Sequence, residues 1–527
     1  MKKMLLLSLI FLWMKAKGWP PGESQFLNYQ ECLNEYESAP WKLMGPKYNE
    51  TYYEKFNYQF NLMFEKVYPI AIFTPTTVED VQAAVKCGVK TNIQLVPIAG
   101  GHSYAGLSMG TNDSIIIDTR YLNDISLNKE ENVATVGSGA FLGRVYGTLW
   151  KNGGYGTALG SCTTVAMAGL AIGGGIGYLS PRYGLVIDNL VEINMVDASG
   201  NAVKVDETHN EDLWWAMRGV GPGYIGIVTS VKLKLFKADE LGLTFIKVNF
   251  DNNSFQSVMD SYSVWLDWVN RNDPNINSLI LSRSDNYTKS GNATKRPDES
   301  GTLLQILKID DNKNGATIHL DLITAVLTIF PRPKSIVITF PSFIDFFHEI
   351  SYTPIKNVTE FKNKSNDEQL EILSTLTKED GAPVYHMAKS FYVKQKYRNG
   401  SFEDAQDLLL EIPNKFCASH VNYEGGAISQ PAPNASSYVH RDAILSVKVY
   451  FETDDQEKAA ECKKWLYKFY KSVKFLDSGE TFQNYPDPNL SDYLNRYYGT
   501  NLKRLIEIKR KWDPNGYFDS KQSIPIQ

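Results

Sequence analysis

Hydrophobic and polar positions change rhythm twice along this chain. Behind Thr76 and Glu79, which stand three apart as in a capping box, Val78, Val81 and Val85 recur at helical spacing and predict a helix. Short apolar runs at 93–98, 114–118 and 132–136 read as buried strands, and 141–152 as a helix closed by Gly153 and Gly154. Residues 190–196 and 202–205 flank Ser199-Gly200 as a hairpin. Asn210 is expected to cap a short helix over 211–217, whose acidic first turn suits the helix dipole, and 227–235 alternates as a strand. From about residue 236 glycine thins and charge rises. Strand-like runs at 243–248, 335–339 and 445–450 there alternate with amphipathic helices at 254–270, 367–377 and 456–472. The tail from 480 is distinct again. Two α+β units are therefore expected, a glycine-rich first and a charged second.

Composition adds exclusions. Over 527 residues the net charge is −5, which gives no basic stripe for nucleic acid. Lys2 and Lys3 precede an apolar run from Met4 to Trp13, too short for a membrane span of roughly 20 residues. It reads as a secretory signal over 1–18, with no membrane attachment after cleavage. Ten Asn-x-Ser/Thr sequons fit a secreted glycoprotein: Asn49, Asn112, Asn252, Asn286, Asn292, Asn357, Asn363, Asn399, Asn434 and Asn489. The five cysteines are Cys32, Cys87, Cys162, Cys417 and Cys462. An odd count in an oxidising compartment leaves one without a partner, and a covalently held cofactor would occupy it. No zinc-type spacing is present, so no metal site is expected.

Two stretches carry the chemistry. PIAGGHSYAG, residues 97–106, sets His102 behind Gly100 and Gly101; residues 156–189 hold Cys162 among eight glycines. Such backbone turns freely and brings amides close to a ligand, which suits a pyrophosphate. Gly221 to Gly226 formally matches GxGxxG, but it precedes the strand at 227–235 instead of following one, so a dinucleotide fingerprint is rejected in favour of a turn.

With GSCTTVAMAG, GGGIGYLSPRYGLVIDN, DLWWAMRG, QNYPD, YYGTN and QSIP, these stretches resemble the berberine bridge enzyme-like flavoproteins of the vanillyl-alcohol oxidase group, in the family's order over nearly the whole mature chain. The resemblance implies an α+β fold. A PCMH-type FAD-binding domain (19–236, with a C-terminal segment 480–527 returning to it) packs on an antiparallel-sheet substrate domain (237–479). It implies FAD joined by His102 to the 8α-methyl carbon and by Cys162 to C6, contacts from Gly100, Gly101, Ser103, Tyr104, Val165, Gly169, Gly173, Gly174, Gly175, Gly177, Ile227 and Asn484, and a Cys32–Cys87 disulfide. Whether Cys417 and Cys462 pair stays open.

Tyr485 matches the family's catalytic base, taking a hydroxyl proton while hydride leaves the substrate carbon. A phenol ordinarily ionises near pH 10, and a neighbouring cation favours the phenolate; Lys448 is the candidate. Tyr104 matches a pocket-lining tyrosine. Val165 matches the oxygen-permissive form, which favours O2 as acceptor. Ile98, Leu170, Ile176 and Tyr224-Ile225 depart from the family's usual arginine, histidine, tyrosine and Asn-Phe. The loss of a hydroxyl at Ile176 keeps the substrate from transferring. The expectation is a secreted, monomeric oxidase of an alcohol, with the reducing end of a mono- or oligosaccharide as first choice and H2O2 as by-product. A non-sugar alcohol or alkaloid oxidase and a catalytically silent flavin-binding protein are the alternatives.

Overall fold

The computed structural model describes residues 22–37, 42–57, 59–223, 225–250, 255–283, 301–313, 319–351, 360, 363–376, 383–394 and 403–526. The expected signal peptide, Tyr224 and the sequons at Asn252, Asn286, Asn292, Asn357 and Asn399 lie outside them. The other five sequon asparagines are exposed.

The first half builds two small sheets, besides a two-stranded pairing of Tyr155–Gly156 with Phe236–Lys237. In one, the apolar strand Ser114–Asp118 is flanked by parallel partners Ala71–Phe73 and Gln94–Ile98, with Leu43–Met44 at the edge. The helix Val78–Thr91 covers it, burying Val81 and Val85 while Val78 is half-buried. This helix starts one residue later than its pattern suggests. Thr77, not Thr76, is the cap, and Asp80, not Glu79, reaches back to it. Lys42 grips Asp80 from the neighbouring segment, which favours the aspartate over the more solvated Glu79. Cys87 near the helix end is bonded to Cys32, so the lead-in helix Glu23–Glu35 is stapled to the sheet.

The second sheet is antiparallel, in the order Ile125–Asn128, Val133–Gly137, Ile227–Lys234, Leu190–Val196, Ala202–Val205. Asn210 occupies the N-cap of helix Glu211–Met217 in left-handed geometry, but its side chain donates to the Lys204 carbonyl instead of capping. The 221–223 stretch is a single turn leading into Ile227–Lys234, as a turn reading requires.

Residues 242–453 supply a third, fully antiparallel sheet of seven strands, in the order Ser335–Thr339, Gly242–Phe250, Gly301–Asp310, Ile276–Arg283, Cys417–Tyr423, Leu445–Thr453, Tyr385–Val393. Strand side chains alternate between faces. Ile246, Val248, Leu304, Ile306, Val447, Val449 and Phe451 pack under helices Phe255–Asn272 and Gln456–Val473 on one side. On the other face Leu243, Phe245, Leu307 and Ile309 join the core of the first half, while Gln305, His420, Lys448, Tyr450 and Glu452 line a cavity. Cys417 and Cys462 form a second disulfide, tying this sheet to its long helix; Cys162 is the unpaired cysteine.

The tail returns to the first half. The Tyr498 hydroxyl donates to the Val220 carbonyl, and Lys511 and Trp512 both engage Asp212. The connection between the halves is sealed by Arg441, which is 2% exposed. Its guanidinium forms two hydrogen bonds, of 2.7 and 2.8 Å, to the Asp188 carboxylate. A bidentate pair this enclosed is costly to break from one side, because the other charge stays buried. Asp188→Asn is therefore expected to destabilise the protein by about 3–5 kcal/mol. Thermal or urea unfolding would show this; an unchanged midpoint would mean that water already screens the pair.

Candidate active site

A cavity of about 820 Å³ lies between the glycine-rich loops of the first half, the tail and the open face of the seven-stranded sheet. The loop after Gln94–Ile98 supplies one wall. Gly101 turns it with φ 75°, and the Ser103 hydroxyl accepts from the Leu107 amide. His102 is thereby held on the cavity wall, its ring 4.1 Å from that of Phe60.

The loop carrying Cys162 supplies the adjoining wall. The Thr164 hydroxyl sits 2.9 Å from His102 Nε2 and 3.8 Å from Cys162 Sγ, so one oxygen bridges the two nucleophiles. Burial pushes the Cys162 thiol up to about 11; nearby Glu452 adds to the rise, and hydrogen bonds from Thr164 and Val165 oppose it.

Gly100, Gly101, Ser103, Tyr104, Val165, Gly169, Ile227 and Asn484 also line the cavity. A Cβ on Gly169 would meet nothing within 4 Å, so that backbone faces open space a ligand can fill. Gly173, Gly174, Gly175 and Gly177 do not line it. They form the packing behind the wall, where a Cβ on Gly177 would lie 1.9 Å from the Leu159 carbonyl oxygen. The donor set fits a flavin dinucleotide: a long, glycine-walled cleft with an imidazole and a thiol converging at one place.

The tail positions Tyr485 on the wall of the same cavity. Its ring stacks on Tyr104, with centroids 5.6 Å apart, and meets Phe482 edge-on. Lys448 Nζ lies 4.7 Å from the Tyr485 ring centroid and 4.3 Å from that of Tyr450. Among the described residues no carboxylate pairs with Lys448. Three cavity-lining departures from the family pattern, Ile98, Leu170 and Ile176, present aliphatic surface to the cavity.

Four cavity groups escaped the sequence reading: Arg283, His386, His420 and Glu452. Lys448, Tyr450 and Glu452 occupy alternate positions of one strand, so all three face the cavity. Glu452 is paired in register with His386 on the next strand, and its carboxylate meets His386 Nδ1 at 3.1 Å. Glu452 Oε1 and His386 Nε2 are buried without partners. Burial raises the Glu452 carboxyl to about 8 and pushes the His386 imidazole well below its ordinary value, with Lys448 and His102 adding to the fall. The period-two pattern K-V-Y-F-E after residue 447 was the signal that could have found Glu452; the histidines come from other strands and had none.

Family models described as "FAD binding domain" and "Berberine and berberine like" match residues 69–206 and 481–525. The chain is 26% identical to a xylooligosaccharide oxidase of Thermothelomyces thermophilus, over 86% of this chain and 87% of that protein. It is 26% identical to a chitooligosaccharide oxidase of Gibberella zeae, over 92% and 91%. Among solved structures, Physcomitrella patens BBE-like 1 superposes with TM-score 0.76 at 26% identity, covering 95% of this chain and 99% of that one.

The buried acid generates a prediction. Glu452 has an ordinary value of 4.5 and one of about 8 in the fold. Between those values the folded state binds more protons than the unfolded state, so stability falls as pH rises. Glu452→Gln removes that slope. In thermal unfolding from pH 5 to 8 it should gain on the wild type, by at most about 1.4 kcal/mol per pH unit. A pH-independent difference would mean that Glu452 is ionised in the fold.

Proposed function

The chain is a berberine bridge enzyme-like, FAD-linked oxidoreductase, and from that premise we propose that it is a secreted oxidase of alcohols, with the reducing-end hydroxyl of a mono- or oligosaccharide as substrate and O2 as acceptor. The observation that carries this reading is the placement of Tyr485, between the Tyr104 ring and the Lys448 ammonium, in the same cavity as His102 and Cys162. The names of the two oligosaccharide-oxidising relatives support the sugar. Two disulfides and five exposed sequon asparagines support secretion.

His102 and Cys162 would hold FAD by two covalent bonds, and the cavity-lining Gly100, Gly101, Ser103, Gly169, Ile227 and Asn484 would contact it. Bound FAD supplies a two-electron acceptor that takes the substrate's C–H as hydride. The remaining work falls to the protein. The Tyr485 oxygen, as phenolate, receives the hydroxyl proton and becomes neutral, and the Lys448 charge favours that phenolate before the transfer. Tyr104 and Phe482 fix the Tyr485 ring by their contacts with it. Val165, three residues after Cys162, leaves a small side chain on the cavity wall, in keeping with access for O2. We assign cofactor binding to residues 19–236 and 480–527 and substrate binding to 237–479, in line with the three sheets and the returning tail.

Removing the base should slow chemistry while sparing the cofactor. Stopped-flow flavin reduction under anaerobic conditions is expected to fall about 100- to 10,000-fold in Tyr485→Phe. Lys448→Met should lose about tenfold or more, and Lys448→Arg should retain more of the rate because it keeps the charge. Unchanged reduction in Tyr485→Phe would remove that residue from the chemistry.

A further inference from the structure

Near the two cavity nucleophiles stands a buried acid–imidazole pair that substrate oxidation leaves idle. Glu452 Oε2 meets His386 Nδ1 at 3.1 Å, while Glu452 Oε1 and His386 Nε2 are buried without hydrogen-bond partners. Register sets Glu452 opposite His386, and the Tyr104 ring lies 3.8 Å from the His386 ring. Buried Asn61 donates to the carbonyls of both Tyr104 and His386 and accepts from the His386 amide. The strand carrying His386 is thereby tied to the loop carrying His102. Both members of the pair line the same cavity as Cys162, and Glu452 is near enough for its charge to act on the Cys162 thiol. A buried carboxylate oxygen without a partner is costly, and a proton arriving from the cavity relieves it.

Cys162 needs such an acceptor. Only a thiolate is a nucleophile, and burial holds this thiol up at about 11. Thr164 touches both Cys162 and His102, but a hydroxyl is no base. His102 is itself assigned to the cofactor. The Tyr104 phenol, raised well above its ordinary value by burial, stays protonated, and Lys448 serves Tyr485. Among the described residues around Cys162, Glu452 is the acceptor that remains. Its carboxyl, at about 8, ionises near neutral pH yet keeps a proton once it has taken one, as a general base should.

We propose that Glu452, positioned by His386, is the base that takes the Cys162 thiol proton when the sulfur bonds the flavin, so that the chain catalyses its own second tether. This rests on the two-bond flavin reading and deepens it. The proton passes to Glu452 directly or through one water, and neutral His386 donates through Nδ1 to the ionised carboxylate. The electron pair of the S–H bond becomes the bond from sulfur to C6. The C6 hydrogen leaves as a proton and its bonding pair stays in the flavin as the reduced form. O2 accepts that pair, with both protons, to give H2O2.

Electrostatics alone gives the opposite sign. A negative Glu452 raises the thiol, so an amide in its place would favour the thiolate and speed the bond if Glu452 were a bystander.

The test uses the full-length secreted protein, digested and weighed as peptides. The readout is the fraction of chains joined at Cys162 among those already carrying flavin on His102; the His102 bond reports that fold and cofactor are in place. The wild-type fraction should be nearly complete. In Glu452→Gln it should fall about tenfold or more. His386→Phe should lower it too, and His386→Gln, which keeps an N–H donor, should lose less. Purified Glu452→Ala held in air with formate should gain the sulfur bond, and the same protein in chloride of equal ionic strength should not. A fraction in Glu452→Gln equal to or above that of the wild type would overturn the base, as would equal effects of formate and chloride. A wild type joined at His102 alone, or at neither residue, would instead remove the two-bond reading and the proposal with it. If Glu452→Gln loses the His102 bond as well, the formate and chloride samples of Glu452→Ala decide.

Discussion

The site depends on how closely backbone can approach backbone behind the cavity wall. A side chain at Gly177 would place a Cβ 1.9 Å from the Leu159 carbonyl oxygen, and one at Gly100 would lie 2.8 Å from the Ala166 amide nitrogen. Glycine alone removes those collisions. The loops carrying His102 and Cys162 can then fold against each other, with Thr164 spanning the two nucleophiles. A wider separation would leave imidazole and thiol addressing different ligands; this separation is what the proposed attachment of both to one flavin requires.

The second constraint is the two-faced sheet. Along Leu445–Thr453 the core side reads Val447, Val449, Phe451 and the cavity side Lys448, Tyr450, Glu452. Burial under the long helix fixes the register, since a slip of one residue would exchange the two faces. The chemical positions are thus held by packing on the opposite side, and the Cys417–Cys462 disulfide ties that packing together. The tail closes the arrangement from above: it delivers Tyr485 over this face while the Arg441–Asp188 pair holds the connecting segment to the first half.

Much of this was legible in the chain. The helices and strands read in the glycine-rich half appear within a residue or two of their patterns, whereas Glu23–Glu35, Ala71–Phe73 and Ile125–Asn128 were not read. Thr77 displaced Thr76 as cap because Lys42, distant in sequence, selects Asp80. In the second half the pattern gave three of the seven strands. The strands at 276–283, 301–310, 385–393 and 417–423 were not read. Tyr385–Val393 carries His386 and Ser390, and Cys417–Tyr423 carries His420 and Asn422, between their core-facing residues, which blurs a hydrophobic run. The Cys417–Cys462 bond and the meeting of Arg283, His386, His420 and Glu452 are products of strand order, which no local pattern encodes. His102, Cys162 and Tyr485 could be named beforehand because each sits in a local motif.

In the proposed enzyme one flavin would join the two loops through His102 and Cys162. The most direct measurement is to digest the purified protein with trypsin under denaturing conditions, follow visible absorbance through chromatography, and weigh the coloured fraction. A single yellow species containing the His102 peptide, the Cys162 peptide and the mass of FAD is the predicted result. Flavin released by denaturation, with the two peptides eluting apart and colourless, would contradict it.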